Sequence, residues 1–259
     1  MEKKRKKKKM PVPLLIVLCV CVAALGVSIW QLSNIFLEYK AGTDEYEDLQ
    51  QFVLEEIPEN EETAEDAGDG TEEERVQRVA LSELQAQNPE TVGWIEIPGT
   101  TISYPLMHTD DDSYYLNHTF SNKINSAGSI FVETLNSPDF TDLHTIIYGH
   151  NMKNGSMFAG LKNYASPSYL VAHPTVYIDL ADGTHAYQIF SVYESPSESD
   201  SYTIGFAPDE QYEEFLQTLK SRSAYDTGVT VTKDDSIITL STCTKSGEHR
   251  YLVHAKKLY

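Results

Sequence analysis

From Pro11 to Trp30 every side chain but Ser28 is apolar. Twenty residues at helical rise span about 30 Å, the thickness of a bilayer core, so the run predicts one membrane-spanning helix in an anchor over 11–36. Glu38 to about Asp48 can prolong that helix by some turns. Apolar periodicity then lapses until residues 75–87, where Val76, Val79, Leu81 and Leu84 have helical spacing and Asn88-Pro89 ends the run. Beyond it the pattern turns to short strands. Trp94–Ile97 and Thr101–Tyr104 flank the turn Pro98-Gly99, and Gly128–Val132 and Thr145–Tyr148 follow. Val176–Ile178 and Ala186–Phe190 make a hairpin across Ala181–Thr184, and Ser236–Thr242 and Arg250–Leu258 come last. Two helices interrupt this pattern. One lies around Met157, Phe158 and Leu161; the other starts with Pro208 at its first position and runs through Tyr212, Phe215, Leu216 and Leu219. The expected fold is mainly β with helical insertions, closed or nearly closed into a barrel.

Charge sets the topology. The block Lys3, Lys4, Arg5 and Lys6 to Lys9 keeps residues 1–10 in the cytoplasm and places the remainder of the chain outside. A cleaved signal peptide would need a small-x-small site, and Ala24-Leu25-Gly26 is a poor one. Leu18 and Val20, which precede Cys19 and Cys21, argue against a lipoprotein, so those cysteines read as lipid-facing. The formal charge of −19 is uneven: residues 38–74 hold sixteen acidic side chains against one lysine. Such a composition buries too little apolar surface to fold, so 37–74 is expected to be a flexible tether spanning on the order of 35 Å. The folded domain is then 75–259. Its 11 basic and 22 acidic side chains over 76–259 form no basic cluster, which excludes nucleic acid as an expected partner.

Within that domain Cys243 is the single cysteine, at the end of the run Ile237, Ile238, Leu240. An exported thiol with no partner for a disulfide invites a functional explanation, although a lone cysteine is by default a small core hydrophobe. Another apolar run, Ile146-Ile147, ends at Tyr148-Gly149-His150-Asn151, and Arg250 stands seven residues after the cysteine. A thiol attacks an acyl carbon as thiolate, so it needs a base or cation nearby; His150 supplies either. The tetrahedral intermediate carries an oxyanion that Arg250, always charged, is suited to stabilise. The turn Lys245-Ser246-Gly247 allows the chain to return on an antiparallel strand and bring Arg250 back beside Cys243. His254, in Leu252-Val253-His254-Ala255, reads as structural. His249 neighbours Arg250 and is expected to point to the opposite strand face; His108, His118, His144, His173 and His185 show no paired ligand spacing, so neither a metal site nor a cofactor is expected.

Ile147-Tyr148-Gly149-His150-Asn151, Thr239-Leu240-Ser241-Thr242-Cys243 and Arg250-Tyr251-Leu252-Val253 together resemble the sortase family, and most closely its class B. The likeness covers nearly all of 75–259 and takes in Tyr104-Pro105-Leu106, Tyr115-Leu116-Asn117, Gly128-Ser129-Ile130-Phe131 and Met157-Phe158. It implies an eight-stranded sortase barrel and a membrane-anchored cysteine transpeptidase of Gram-positive bacteria. By that analogy Cys243 attacks the threonine carbonyl of a C-terminal sorting signal on a secreted protein. An amine of peptidoglycan or its lipid-linked precursor then resolves the thioacyl enzyme. His150 would be acid and base, Arg250 would bind substrate or oxyanion, and Leu116, Tyr202, Thr203 and Ser241 would line the signal groove. Two positions depart from relatives: Asp112 stands where an amide is expected in some class B enzymes, and Thr244 where some carry an acid. Both leave the first residues of the signal open, asparagine-proline or leucine-proline.

Two other readings compete. A papain-like cysteine hydrolase would use water as acceptor and place its cysteine before its histidine, opposite to the order here. A non-catalytic surface binding module would leave Cys243 inert.

Overall fold

A computed structural model describes residues 12–54, 78–244 and 246–259. The chain divides into two units, the first ending at Ala41 and the second running Gly42–Tyr259. A single helix, α1, runs Val12–Leu49. Among the described residues it is the one helix long and apolar enough to cross a membrane, with a mean hydropathy of 2.8 in its most apolar window.

The expected tether starts too early. Gly42 to Leu49, the last two turns of α1, belong to the second unit, followed by a 3₁₀ turn at Gln50–Phe52. Tyr46 and Leu49, three residues apart on one helix face, are each only 5% exposed. The Tyr46 hydroxyl donates to the Gly128 carbonyl (2.6 Å) and accepts from the Phe120 amide (3.3 Å). Two buried side chains among many acids were too few to alter the composition, yet they suffice to dock a helix end. Residues 55–77, which include most of the tether and the start of the expected 75–87 helix, lie outside the described residues. The helix itself, α2, is Leu81–Gln87, with Leu84 fully buried. It starts late because Val79 bridges to Val53 and Arg78–Ala80 is drawn into that pairing.

The barrel consists of β1 (Thr91–Glu96), β2 (Ser103–Met107), β3 (Ile130–Val132), β4 (His144–Tyr148), β5 (Thr175–Leu180), β6 (Gly183–Pro196), β7 (Ile237–Cys243) and β8 (His249–Lys257). It closes in the order β1-β2-β3-β4-β7-β8-β6-β5, as expected for the eight-stranded fold. The β2–β3 and β4–β7 pairs are parallel and the other neighbours antiparallel. The expected hairpin is β5–β6, closed at Leu180 and Gly183, but β6 continues to Pro196 and takes in the start of what read as a loop.

The helical insertions differ in detail. Phe158–Ala165 is 3₁₀ rather than α, and the short helix α3 (Pro167–Ala172) after it was not foreseen. The last helix, α4, is Glu210–Ser221; Asp209 caps it by accepting from Gln211 N and Tyr212 N, so Pro208 sits outside instead of at the first position. Tyr212, Leu216 and Leu219 of α4 pack with Ile237 and Phe190. Side chains alternate faces along a strand, so the face of β7 under the crossover from β6 also carries Thr239, Ser241 and Cys243. Ile238 and Leu240, both fully buried, occupy the opposite face.

Candidate active site

β4 and β7 run parallel, with Ile147 opposite Leu240 and Tyr148 opposite Ser241. Continuing that register by two residues brings His150 level with Cys243 at the shared C-terminal end of the pair. Gly149 makes this turn feasible: a Cβ there would overlap Ile130 and stand 2.8 Å from the Phe158 ring. The chain stays attached to β7 past the strand, because Gly149 N donates to Ser241 O (3.2 Å) and Asn151 Nδ2 to Cys243 O (2.8 Å).

Cys243 and Arg250 are direct partners across the antiparallel β7–β8 pair, so their side chains share a sheet face. Cys243 is partly exposed. Arg250 Nη1 donates to the carbonyls of Gly247 (2.8 Å) and His249 (3.1 Å), which anchors the guanidinium on the connecting turn. The fork's remaining N–H groups are further donors at this edge.

His150 Nε2 lies 2.6 Å from the carbonyl oxygen of Leu116. A carbonyl can only accept, so Nε2 carries a proton and, in the neutral ring, Nδ1 holds the lone pair. The Leu116 segment is itself held: Ser129 N donates to Tyr115 O (2.9 Å). Gly128 follows the same logic, with φ +57° and no room for a Cβ against the Tyr115 and Leu116 carbonyls.

Tyr202 and Ser241 come together with their hydroxyls 2.8 Å apart. Burial raises the Tyr202 pKa; Ser241 and Arg250 oppose the rise, and Cys243 adds to it. Its ring stacks on Tyr148, with centroids 6.3 Å apart. Thr203 enters through its backbone, its carbonyl accepting from His144 Nδ1 at 2.7 Å. Of the seven residues singled out from the sequence, Cys243, His150, Arg250, Leu116, Tyr202 and Ser241 thus gather towards the C-terminal end of β4 and β7, while the Thr203 carbonyl meets His144 at the start of β4.

Sequence reasoning assigned no role to four neighbours. Asn151 and Tyr148 flank the Gly149-His150 pair and stood in the quoted motif. The Tyr148 hydroxyl donates to Glu133 Oε2 (2.7 Å). Burial pushes Glu133 above the usual carboxylate range; Tyr148 opposes this and Asp112 reinforces it. Asp112 Oδ1 accepts from Thr134 N (2.8 Å) and Oγ1 (2.5 Å), which fixes the carboxylate at the position where an amide was expected. The remaining two are His144 and Thr239. Thr239 Oγ1 lies 2.6 Å from His144 Nε2 and 2.7 Å from His254 Nδ1, so His254 is structural as read, and His144 is its partner. No local signal marks His144; only the β4–β7–β8 register brings it there. Among the described residues no cluster of three or more His, Cys, Asp or Glu is placed to hold a metal ion.

Comparison with known proteins agrees with this geometry. The sortase domain model matches residues 95–258. Sortase B of Listeria monocytogenes is 43% identical over 166 residues, 64% of this chain and 68% of that protein. Sortase B of Staphylococcus aureus is 32% identical over the same shares of the two chains. The structure of sortase B from B. anthracis in complex with AAEK1 superposes with a TM-score of 0.72 at 31% identity, covering 86% of this chain and 98% of that one. The chain therefore belongs to the sortase family, class B, and is a cysteine transpeptidase.

Proposed function

We propose that Cys243 is the nucleophile, His150 the acid and base, and Arg250 the stabiliser of the oxyanion or of the bound signal. The observation that carries this reading is the pairing of Cys243 with Arg250 in one register while the parallel β4 delivers His150 to the same end. The sulfur attacks the threonine carbonyl of a C-terminal sorting signal, and the carbon–nitrogen bond after threonine breaks. His150 gives its proton to the departing amine. An amine of peptidoglycan or of its lipid-linked precursor then attacks the thioester; the carbon–sulfur bond breaks, and His150 takes the amine's proton. Donors aimed at developing negative charge are worth about 3 kcal/mol each in such sites, a level suited to Arg250.

Leu116, Tyr202, Thr203 and Ser241 line the signal groove on this reading. Asp112, engaged by Thr134 and beside Glu133, whose pKa burial raises, bears on the signal's first residues. The helix α1 anchors the enzyme, with residues 1–10 in the cytoplasm and the catalytic unit outside. The acidic stretch past Leu54 is the remaining linker.

The test uses the full chain in detergent with sorting-signal peptides and an amine acceptor. Cleavage after threonine with amide formation is the expected outcome, with mass spectrometry detecting an acyl group on Cys243. Retained turnover in Cys243→Ala would overturn the assignment.

A further inference from the structure

The chain Thr203–His144–Thr239–His254 is polar where its surroundings are not. His144 and His254 are 1% and 0% exposed, and Thr239 is 0%. Phe215 packs on the His144 ring (5.4 Å), and Phe190 and Tyr193 on His254 (6.0 and 5.1 Å). Just below on the same face of β7, Ile237 packs in an apolar cluster with Leu216 and Leu219 of α4. Burying two imidazoles costs desolvation that an apolar trio would avoid.

The hydrogen bonds have one direction only when both rings are neutral. The Thr203 carbonyl accepts, so His144 Nδ1 carries the proton and Nε2 is a lone pair. Thr239 therefore donates to His144 Nε2, and its oxygen accepts from His254 Nδ1–H. His254 Nε2 is left as a buried acceptor without a partner. The other direction would put a proton on that nitrogen, where no acceptor stands. Burial supports neutrality, lowering His144 to about 4 and His254 well below the usual histidine range.

The far end of this chain is not core but the crossover from β6. Thr203 is exposed, as are Gly205 and Ala207; Ile204 is half-buried and Phe206 packs on Tyr212 and Phe215 (5.1 and 4.6 Å), while upstream Ser201 meets the Tyr193 hydroxyl (2.9 Å) and Asp200 pairs with Arg222 (2.9 Å). Between these two anchors apolar contact is non-directional and does not set where Thr203 meets the sheet; a hydrogen bond does. Thr203 directly follows Tyr202, whose hydroxyl meets Ser241 two residues before Cys243.

We propose that this buried chain docks the crossover segment against β4 and β7 so that Tyr202 stands over Ser241, with His144 as the positioning residue for the signal groove. The role rests on reading Tyr202 and Ser241 as groove residues; the docking itself does not.

Three variants of the full chain in detergent test it. His144→Phe keeps an aromatic ring and removes both bonds. His144→Asn places an amide N–H near the Nδ1 position and keeps the bond to Thr203. His144→Gln reaches Thr239 instead and serves if the phenylalanine variant does not fold. In His144→Phe and His144→Gln, amide hydrogen exchange over 200–206 should quicken about tenfold. KM for a signal peptide should rise about five- to tenfold with kcat within about twofold, the signature of lost uniform binding. Alkylation of Cys243 by iodoacetamide should stay within about twofold of wild type, since Thr239 lies four residues from the thiol and β7 keeps its ladder to β4 and β8. His144→Asn should return both exchange and KM towards wild type. Unchanged exchange at 200–206 in a folded Phe or Gln variant overturns the docking, as does a folded Asn variant no better than Gln. If the wild type turns over no signal peptide, the functional reading fails, and exchange alone upholds or overturns the docking.

Discussion

The side-chain amide of Asn151 donates to the backbone carbonyl of Cys243 at 2.8 Å. This bond ties the residue after the candidate base to the end of the strand that carries the proposed nucleophile, where β7 has no further ladder partner on β4. Asn151→Ala should lower kcat/KM about five- to thirtyfold and stability by about 1 kcal/mol, the ordinary worth of one such bond. Asn151→Asp should do worse, because a carboxylate oxygen would face the carbonyl oxygen. Steady-state kinetics on a signal peptide with thermal unfolding beside it checks both; an aspartate variant equal to wild type would refute the geometry.

Tyr202 and Ser241 should behave as one unit. Tyr202→Phe and Ser241→Ala each remove one end of the 2.8 Å contact. Each is expected to raise KM about three- to tenfold, and the double variant to cost little more than either single one. The double-mutant cycle should give a coupling of about 0.5–1.5 kcal/mol; additive effects would mean the hydroxyls do not cooperate in binding.

His144 sets a pH dependence of stability. Burial lowers its pKa from 6.5 to about 4, against the opposing influence of Thr203 and Asp142. His254 is lowered further by burial, by His144 and by Arg222. The unfolded chain then binds protons that the folded one refuses. Stability is complete above about pH 6.5 and is lost as pH falls from there towards 4, by an amount on the order of 3 kcal/mol for His144. Unfolding measured at steps between pH 8 and 4 should show the loss, and His144→Asn should reduce its slope.

Tyr46 ties the end of α1 to the barrel unit. Its hydroxyl serves Gly128 O, Phe120 N and Ser129 Oγ together. Tyr46→Phe leaves these buried groups short of a partner and should cost about 1–3 kcal/mol. A chain starting at Arg78 should be destabilised by at least as much as one starting at Gly42 and carrying Tyr46→Phe. Equal thermal midpoints for the chains starting at Gly42 and Arg78 would show that the helix end only rests on the barrel.

The sequence by itself determined the long apolar run and the strand pattern, and it singled out Cys243, His150 and Arg250 as candidates, because each rests on local order. A twenty-residue apolar run needs no partner to be read, and a thiol, an imidazole and a guanidinium at strand ends announce their chemistry by type. The tertiary structure alone decided what depends on register between distant strands. His144 is ninety-five residues from Thr239, and nothing local distinguishes it from the other histidines until β4 lies parallel to β7. The docked end of α1 was hidden for a related reason: two buried side chains, Tyr46 and Leu49, do not shift the composition of an acidic stretch. Pairing across a sheet is set by the sum of many contacts over the barrel, and no window of neighbouring residues contains that sum.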